Sequence, residues 1–193
     1  MAGPFLIGKR VQLRAYEEED ATILAKWIND PEVRLYLNAR FPNSIKDEKE
    51  WIAALSESKG TPRNIVLGVE LKRGRRLIGS VGLHMIDWVQ RRAMTGSLIG
   101  PKAMRGRGYG TEAKNLLLDY AFGDLGMMSI WSFVVAGNEP SVRALKKQGY
   151  RQGGLFRRSA WFQGEWRDNL YFDIVREDWE GLPRRKGKRA RRS

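Results

Sequence analysis

The sequence predicts a single mixed α/β domain, and three observations lead there. Stretches of alternating apolar and polar residues are interleaved with stretches at helical spacing, in the order β-αα-βββ-α-β-α-ββ. The chain has 193 residues, 42% of them hydrophobic, with seven tryptophans, which is enough to bury one sizeable core. A glycine-rich segment, Arg105-Gly106-Arg107-Gly108-Tyr109-Gly110-Thr111, lies between a strand pattern and an amphipathic helix, a position where α/β proteins hold phosphate.

The elements follow in order. Val11 and Leu13 alternate with polar residues, giving a first strand from Arg10 to Arg14. Glu17, Glu18, Glu19 and Asp20 are acids suited to the first turn of a helix, and Ile23, Leu24, Trp27 and Ile28 continue it at helical spacing. Asn29-Asp30-Pro31 ends that helix. Ser44 and Asp47 have the spacing of a capping box and predict a second helix running to Ser58. Gly60-Thr61-Pro62 closes this segment. Strands follow at Ile65 to Leu71, Leu77 to Ile86 and Ala93 to Ile99, the first two joined by a turn at Arg73-Gly74-Arg75. A helix is expected from Gly108 to Phe122, a buried strand from Ile130 to Val135, and a helix from Pro140 to Lys147. Two final strands, Leu155 to Phe162 and Asn169 to Val175, flank a turn at Gln163-Gly164.

Charge divides the chain unevenly. The net charge is +13, and the last ten residues carry seven Lys or Arg and no acid, so the rest of the chain carries +6. Residues 1–183 are therefore read as the domain and 184–193 as a basic, disordered tail. Such a tail is either a solvated extension or an electrostatic tether to RNA or the ribosome. There is no cysteine, so neither a disulfide framework nor a thiolate metal site or nucleophile can form, and no metal is expected. That fits a reducing cytoplasm. The N-terminus lacks the apolar run of a signal peptide, and no stretch nears the roughly 20 apolar residues of a spanning helix, so no membrane role is expected.

The glycine segment leaves peptide N–H groups uncovered, and the helix after it adds unpaired donors and the positive end of its dipole. Three phosphate binders compete for it. A P-loop needs Lys followed by Ser or Thr, which is missing here. The dinucleotide fingerprint fits Gly108, Gly110 and Ala113, but the next strand ends in Ala136-Gly137-Asn138, with no carboxylate for a ribose. The pattern R/Q-x-x-G-x-G/A is matched by Arg105, Gly108 and Gly110.

That pattern resembles the coenzyme A pyrophosphate loop of the GNAT acetyltransferase superfamily. The resemblance extends to Asn138-x-x-Ser141, to Lys147-x-Gly149-Tyr150, and to Gly164-x-x-x-Asp168 with Leu170-Tyr171-Phe172-Asp173. It covers roughly residues 5 to 180 and is nearest the branch holding ribosomal-protein N-terminal acetyltransferases and spermidine acetyltransferases. It implies the GNAT fold: a mixed, mostly antiparallel sheet of about seven strands flanked by about four helices. It also implies acetyl-CoA as acyl donor. In that reading, Leu98 and Ile99 offer backbone groups to the pantetheine arm. Arg105, Gly106, Arg107, Gly108, Tyr109, Gly110 and Thr111 form the pyrophosphate loop, and Asn138 and Ser141 border the arm.

The acid and base are less plainly written. Much of the family carries a tyrosine shortly before K-x-G-[FY], as the acid for the departing thiolate; the position reads Leu145 here. Ser141 is the substitute in reach. Places where some ribosomal-protein members carry carboxylates read Gly153 and Ala160. His84, Asp87 and Glu70 remain as titratable groups of unassigned role. A lysine-like amine of pKa ~10.4 costs roughly 4–5 kcal/mol to neutralise at pH 7, and an α-amine of pKa ~7.7–8.0 about 1 kcal/mol. A site without a strong base thus favours a protein N-terminus as acceptor over a polyamine or other small amine. The resemblance implies an acceptor between the first two helices and the final hairpin, which makes Trp161 and Trp166 the better candidates to line it, with Trp27, Trp51 and Trp88 as further candidates. A non-catalytic acyl-CoA or RNA-binding protein is the alternative, and both a monomer and a homodimer fit the sequence.

Overall fold

The computed structural model describes residues 3–37, 41–57 and 60–183. The basic tail and the expected helix end at Ser58 lie outside them. Among the described residues there are eight strands and six α-helices. The strands are β1 (Leu6–Ile7), β2 (Val11–Arg14), β3 (Ile65–Leu71), β4 (Leu77–Asp87), β5 (Arg92–Ile99), β6 (Ser129–Val135), β7 (Arg151–Phe162) and β8 (Glu165–Val175). The helices are α1 (Ala21–Asn29), α2 (Pro31–Arg34), α3 (Ile45–Glu57), α4 (Tyr109–Gly123), α5 (Glu139–Gln148) and α6 (Arg176–Gly181). The expected elements are all present. β1, α2 and α6 are additions, each too short to show a period in sequence.

All strands form one sheet in the order β1-β2-β3-β4-β5-β6-β8-β7. Every pairing is antiparallel except β5 with β6. The sheet separates two cores. On one face Val11, Leu13, Leu67, Val69, Val81 and Leu83 pack beneath Leu117 and Leu118 of α4. On the other, Val66 and Leu98 meet Tyr16, Leu24, Trp27 and Ile52 from the α1–α3 side. The period of two along each strand sends alternate residues to the two cores.

Local chemistry sets the helix ends. Asp30 Oδ1 accepts from the Glu32 amide at 2.9 Å, so the Asp-Pro pair that stops α1 also starts α2, with proline in its first turn. The Ser44 hydroxyl accepts from the Asp47 amide at 3.1 Å while Asp47 accepts from the Ser44 amide at 2.7 Å, closing the expected capping box of α3. No helix of the described residues is long and apolar enough to cross a membrane.

Candidate active site

The site begins where the one parallel pairing fails. β5 and β6 pair over only Arg92–Ser129, Ala93–Ile130 and Met94–Trp131. Beyond that point β5 stays with β4 as far as Ile99, while β6 follows β8 through Val135. Two sheet halves diverge and leave a V-shaped opening. Its apex is tied by side chains: the Ser132 hydroxyl donates to the Thr95 carbonyl at 3.0 Å, and Thr95 and Tyr150 share a hydrogen bond of 2.9 Å.

Which β5 groups face the opening follows from alternation. The Gly100 amide donates to Ile78 of β4, so the even-numbered residues of β5 direct their backbone groups to β4 and the odd-numbered ones direct theirs into the V. The Thr95 and Ile99 carbonyls agree, being bonded by Ser132 and Arg105. Ile99 therefore offers a free amide to the opening. Leu98, named with it from the sequence, turns its backbone toward β4 and its side chain into the second core. Ser97 is the residue that sequence reading missed. It is exposed on the α4 face, and both its backbone groups point into the V.

The glycine segment supplies the mouth. Gly106 (φ 72°) and Gly108 (φ 81°) adopt left-handed backbone that side-chain-bearing residues resist. Gly108 is the residue before α4 and, having no side chain, leaves the first turn uncapped. The first helical hydrogen bond runs from Glu112 to the Gly108 carbonyl. Among the described residues, no backbone amide from Arg107 through Thr111 has an acceptor. These five donors at the positive end of α4 fit a pyrophosphate.

Arginines brace the mouth. Arg105 folds back from the loop: its Nε donates to the Ile99 carbonyl at 3.1 Å and Nη2 to the Gly100 carbonyl at 2.7 Å. Its side chain thus holds the end of β5. Arg10, not singled out in the sequence, lies over the Tyr109 ring at 4.7 Å and donates to the Arg107 carbonyl at 3.0 Å. Glu112 anchors it, accepting from the Arg10 amide at 2.7 Å and from Nε at 2.9 Å. On the far wall, Asn138 caps α5 by accepting from the Ser141 amide at 3.3 Å. The Ser141 hydroxyl makes no hydrogen bond among the described residues. Leu145 is buried in the main core, where it offers no proton.

The α1–α3 face holds the titratable candidates. Glu70 is fully buried and takes hydrogen bonds from Gln12 at 2.5 Å and Arg14 at 2.9 Å, so it braces β2 against β3. Asp87 accepts from the Gln90 amide at 2.8 Å and pairs with Arg92 at 3.6 Å in the β4–β5 turn. His84 differs. Its Nε2 lies 3.0 Å from where a Cβ at Gly82 would stand and 3.2 Å from one at Gly96, so the imidazole rests on a pair of glycines and reaches over β5 beyond the divergence. Burial lowers its pKa, so the ring is neutral at pH 7. Asp173 Oδ1 occupies the space a side chain at Gly153 would fill, 2.7 Å from that Cβ position. A carboxylate thus stands beside a position the sequence leaves bare. It comes from β8, the partner strand of the expected hairpin, in a register set by a bulge at Gly153 that the sequence does not show.

The tryptophans separate clearly. Trp27 is buried against Gly100, and Trp88 donates to the Pro62 carbonyl at 2.9 Å. Trp51 packs on Tyr16. Trp161 and Trp166 stand half exposed, edge to face, on the β7–β8 hairpin. Tyr36, just after α2, stacks on Phe162 at 5.3 Å and joins the first helices to that hairpin.

A splayed parallel pair and an uncapped glycine turn at a helix N-terminus make an open cleft lined with amide donors, suited to a phosphorylated ligand. The profile of the GNAT acetyltransferase domain matches residues 10–151, and the chain belongs to that family. It is an N-acetyltransferase that uses acetyl-CoA. It is 28% identical over 176 residues to the uncharacterized N-acetyltransferase p20 of Bacillus licheniformis, spanning 91% of this chain and 98% of that one. It is also 28% identical over 178 residues to the protein named "Putative ribosomal N-acetyltransferase YdaF" of Bacillus subtilis (strain 168), spanning 91% and 96%. The fold matches a crystal structure of spermidine N-acetyltransferase from Vibrio cholerae in complex with CoA and spermine, with a TM-score of 0.81 and 22% identity over 89% of this chain and 99% of that one.

Proposed function

We propose that the enzyme acetylates the α-amine of a protein N-terminus. The observation that carries this reading is the set of proton acceptors on the α1–α3 face. Glu70, Asp20 and Asp87 are committed to arginine or backbone partners. What stays open is His84, whose affinity for a proton burial has weakened, together with Asp173 and the buried carboxylate of Glu48, which accepts from the Asn43 side-chain amide at 2.8 Å. A base weakened as His84 is suits an α-amine, which surrenders its proton for about 1 kcal/mol at pH 7, and not a lysine or polyamine nitrogen at roughly 4–5 kcal/mol. A polyamine's several ammonium groups would also need several free acids, and the chain is strongly basic. The name of the full-length relative YdaF supports the same acceptor.

In this reading the amides of Arg107 to Thr111 hold the pyrophosphate, and Arg105 and Gly106 shape their turn. Ser97 and Ile99 meet the pantetheine arm, with Asn138 and Ser141 on the opposite wall. Bound acetyl-CoA supplies the activated acyl group. The backbone amides that face the V orient it, which alone can remove roughly 7–11 kcal/mol of barrier, and His84 takes the acceptor's proton. The basic tail serves as a tether to ribosomal RNA, in the cytoplasm.

An acceptor panel at pH 7 tests the acceptor class. Thiol release is clean, since the protein has no cysteine. A peptide with a free N-terminus should be acetylated faster than an N-terminally blocked lysine peptide or spermidine. The reverse order would sink the proposal. Deleting residues 184–193 should weaken RNA binding and leave peptide acetylation intact.

A further inference from the structure

Lys114 is the side chain that neither the cofactor cradle nor the acceptor face accounts for. It lies in α4, one turn past the uncapped amides, and is 95% buried, at 5% relative exposure. Its amine has no hydrogen-bond or ion-pair partner among the described residues. It lies over the Tyr150 ring, 5.0 Å from Nζ to the centroid. That ring is fixed by the hydrogen bond of Tyr150 to Thr95, the residue at which β5 and β6 have just separated. One turn back on α4, the Thr111 carbonyl accepts from Gln148 of α5, at 3.4 Å. The amine thus lies between α4 and the Tyr150–Thr95 pair at the apex of the V, on the same face as exposed Ser97. Leu145, which stands where much of the family has its acid, directly precedes this corner: its carbonyl accepts from the Tyr150 amide at 3.1 Å.

We propose that Lys114 is the proton donor to the departing sulfur of coenzyme A. The acceptor nitrogen bonds to the acetyl carbon and gives up one proton to His84 and on to solvent, the carbon–sulfur bond breaks with its electron pair left on sulfur, and Lys114 Nζ passes one proton to that sulfur. The neutral amine regains a proton from solvent before the next turnover. The Ser141 hydroxyl is too weak an acid for this step at neutral pH, whereas burial pushes the Lys114 amine down to about 7, near a donor's optimum. Burial alone produces the shift; no neighbouring charge contributes. Tyr150, the titratable group against it, is held protonated by its own burial. The inference rests on acetyl transfer from acetyl-CoA and is independent of which amine accepts.

The test begins with wild-type protein, lysine labelled with 13C at Cε, titrated by NMR alone, with CoA and with desulfo-CoA. One lysine should titrate near neutrality, and CoA should move its midpoint while desulfo-CoA does not. Equal responses to the two ligands would overturn the proposal, and this arm needs no acceptor. Next, Lys114→Met should bind CoA within about threefold of wild type yet lose roughly 100-fold or more in kcat. It should also lose the decline of rate on the alkaline side of neutrality. An unchanged kcat, or mass spectrometry showing acetyl carried on Lys114 during turnover, would refute the donor role.

Discussion

The two sides of the V are built from different materials. The side proposed to hold the acetyl donor is mostly backbone: five open amides from Arg107 to Thr111, and the odd-numbered peptides of β5, all positioned by glycines and by a strand divergence. The side proposed to meet the acceptor is mostly side chain: His84 resting on glycines, Asp173 reaching over from β8, and aromatic residues joining α2 to the last hairpin. A backbone cradle depends on few residue types, because any peptide donates the same N–H. A side-chain surface depends on every residue in it. Changes on the donor side should therefore cost binding of one fixed molecule, and changes on the acceptor side should redirect specificity.

The strongest way to break the comparison is Gly108→Glu. The residue must take φ near 81°, and its Cβ would lie 3.2 Å from Arg10 Nη2, so strain of about 1–2 kcal/mol is expected. A carboxylate facing the pyrophosphate adds charge repulsion. CoA affinity by calorimetry should fall about 1,000-fold while the thermal unfolding midpoint falls by only about 2–8 °C, leaving the protein folded at the assay temperature. Retained affinity would place the phosphates elsewhere.

The next effect is on stability. Lys114 folds with its amine pKa pushed to about 7 by burial, against ~10.4 in the unfolded chain. Between those values the unfolded state binds the extra proton, so stability rises with pH across that window, and the penalty is fully present below about 7. Lys114→Met removes it. The variant should be more stable by roughly 2–4 kcal/mol in urea at pH 6, with the advantage shrinking as pH approaches 10. A variant less stable at pH 6 would mean that the amine has a partner in solution.

This lysine also marks where sequence reading stops. The glycine loop, the capping box of α3 and the strands either side of the V were all legible, because each is a local demand of the backbone on nearby residues. Ser97 was not, since which peptides of β5 face outward depends on a hydrogen bond from Gly100 to β4. Leu98 was chosen by motif position and proves to face the other strand. Lys114 reads in sequence as one charge on a helix. Only the packing of α4 against Tyr150 shows that it is buried. Asp173 and Gly153 are 20 residues apart and meet only because β7 and β8 are adjacent.

Arg105 gives a smaller, mixed effect. Its guanidinium bonds two carbonyls at the end of β5, so Arg105→Ala should lose about 1–2 kcal/mol of stability. CoA affinity should weaken by about tenfold, through a looser strand and not through a lost contact. Arg105→Lys, which keeps the charge without the fork, should recover little of either. Full recovery by lysine would instead assign Arg105 a direct charge contact with phosphate.

The mildest change is the most telling about the acceptor side. Tyr36 stacks on Phe162 at 5.3 Å, and Arg167 lies over the same Phe162 ring at 4.4 Å. Tyr36→Ala removes one layer of that stack, for which an aromatic pair contributes about 0.5–1.5 kcal/mol beyond its area. CoA affinity should stay within about twofold, because the loop, β5 and α4 are untouched. The KM for an N-terminal peptide should rise about three- to tenfold, with kcat little changed, because a looser hairpin weakens ground and transition state alike. If CoA affinity fell as much as peptide affinity, the two sides of the V would be one coupled unit, and their different materials would not divide donor binding from acceptor choice.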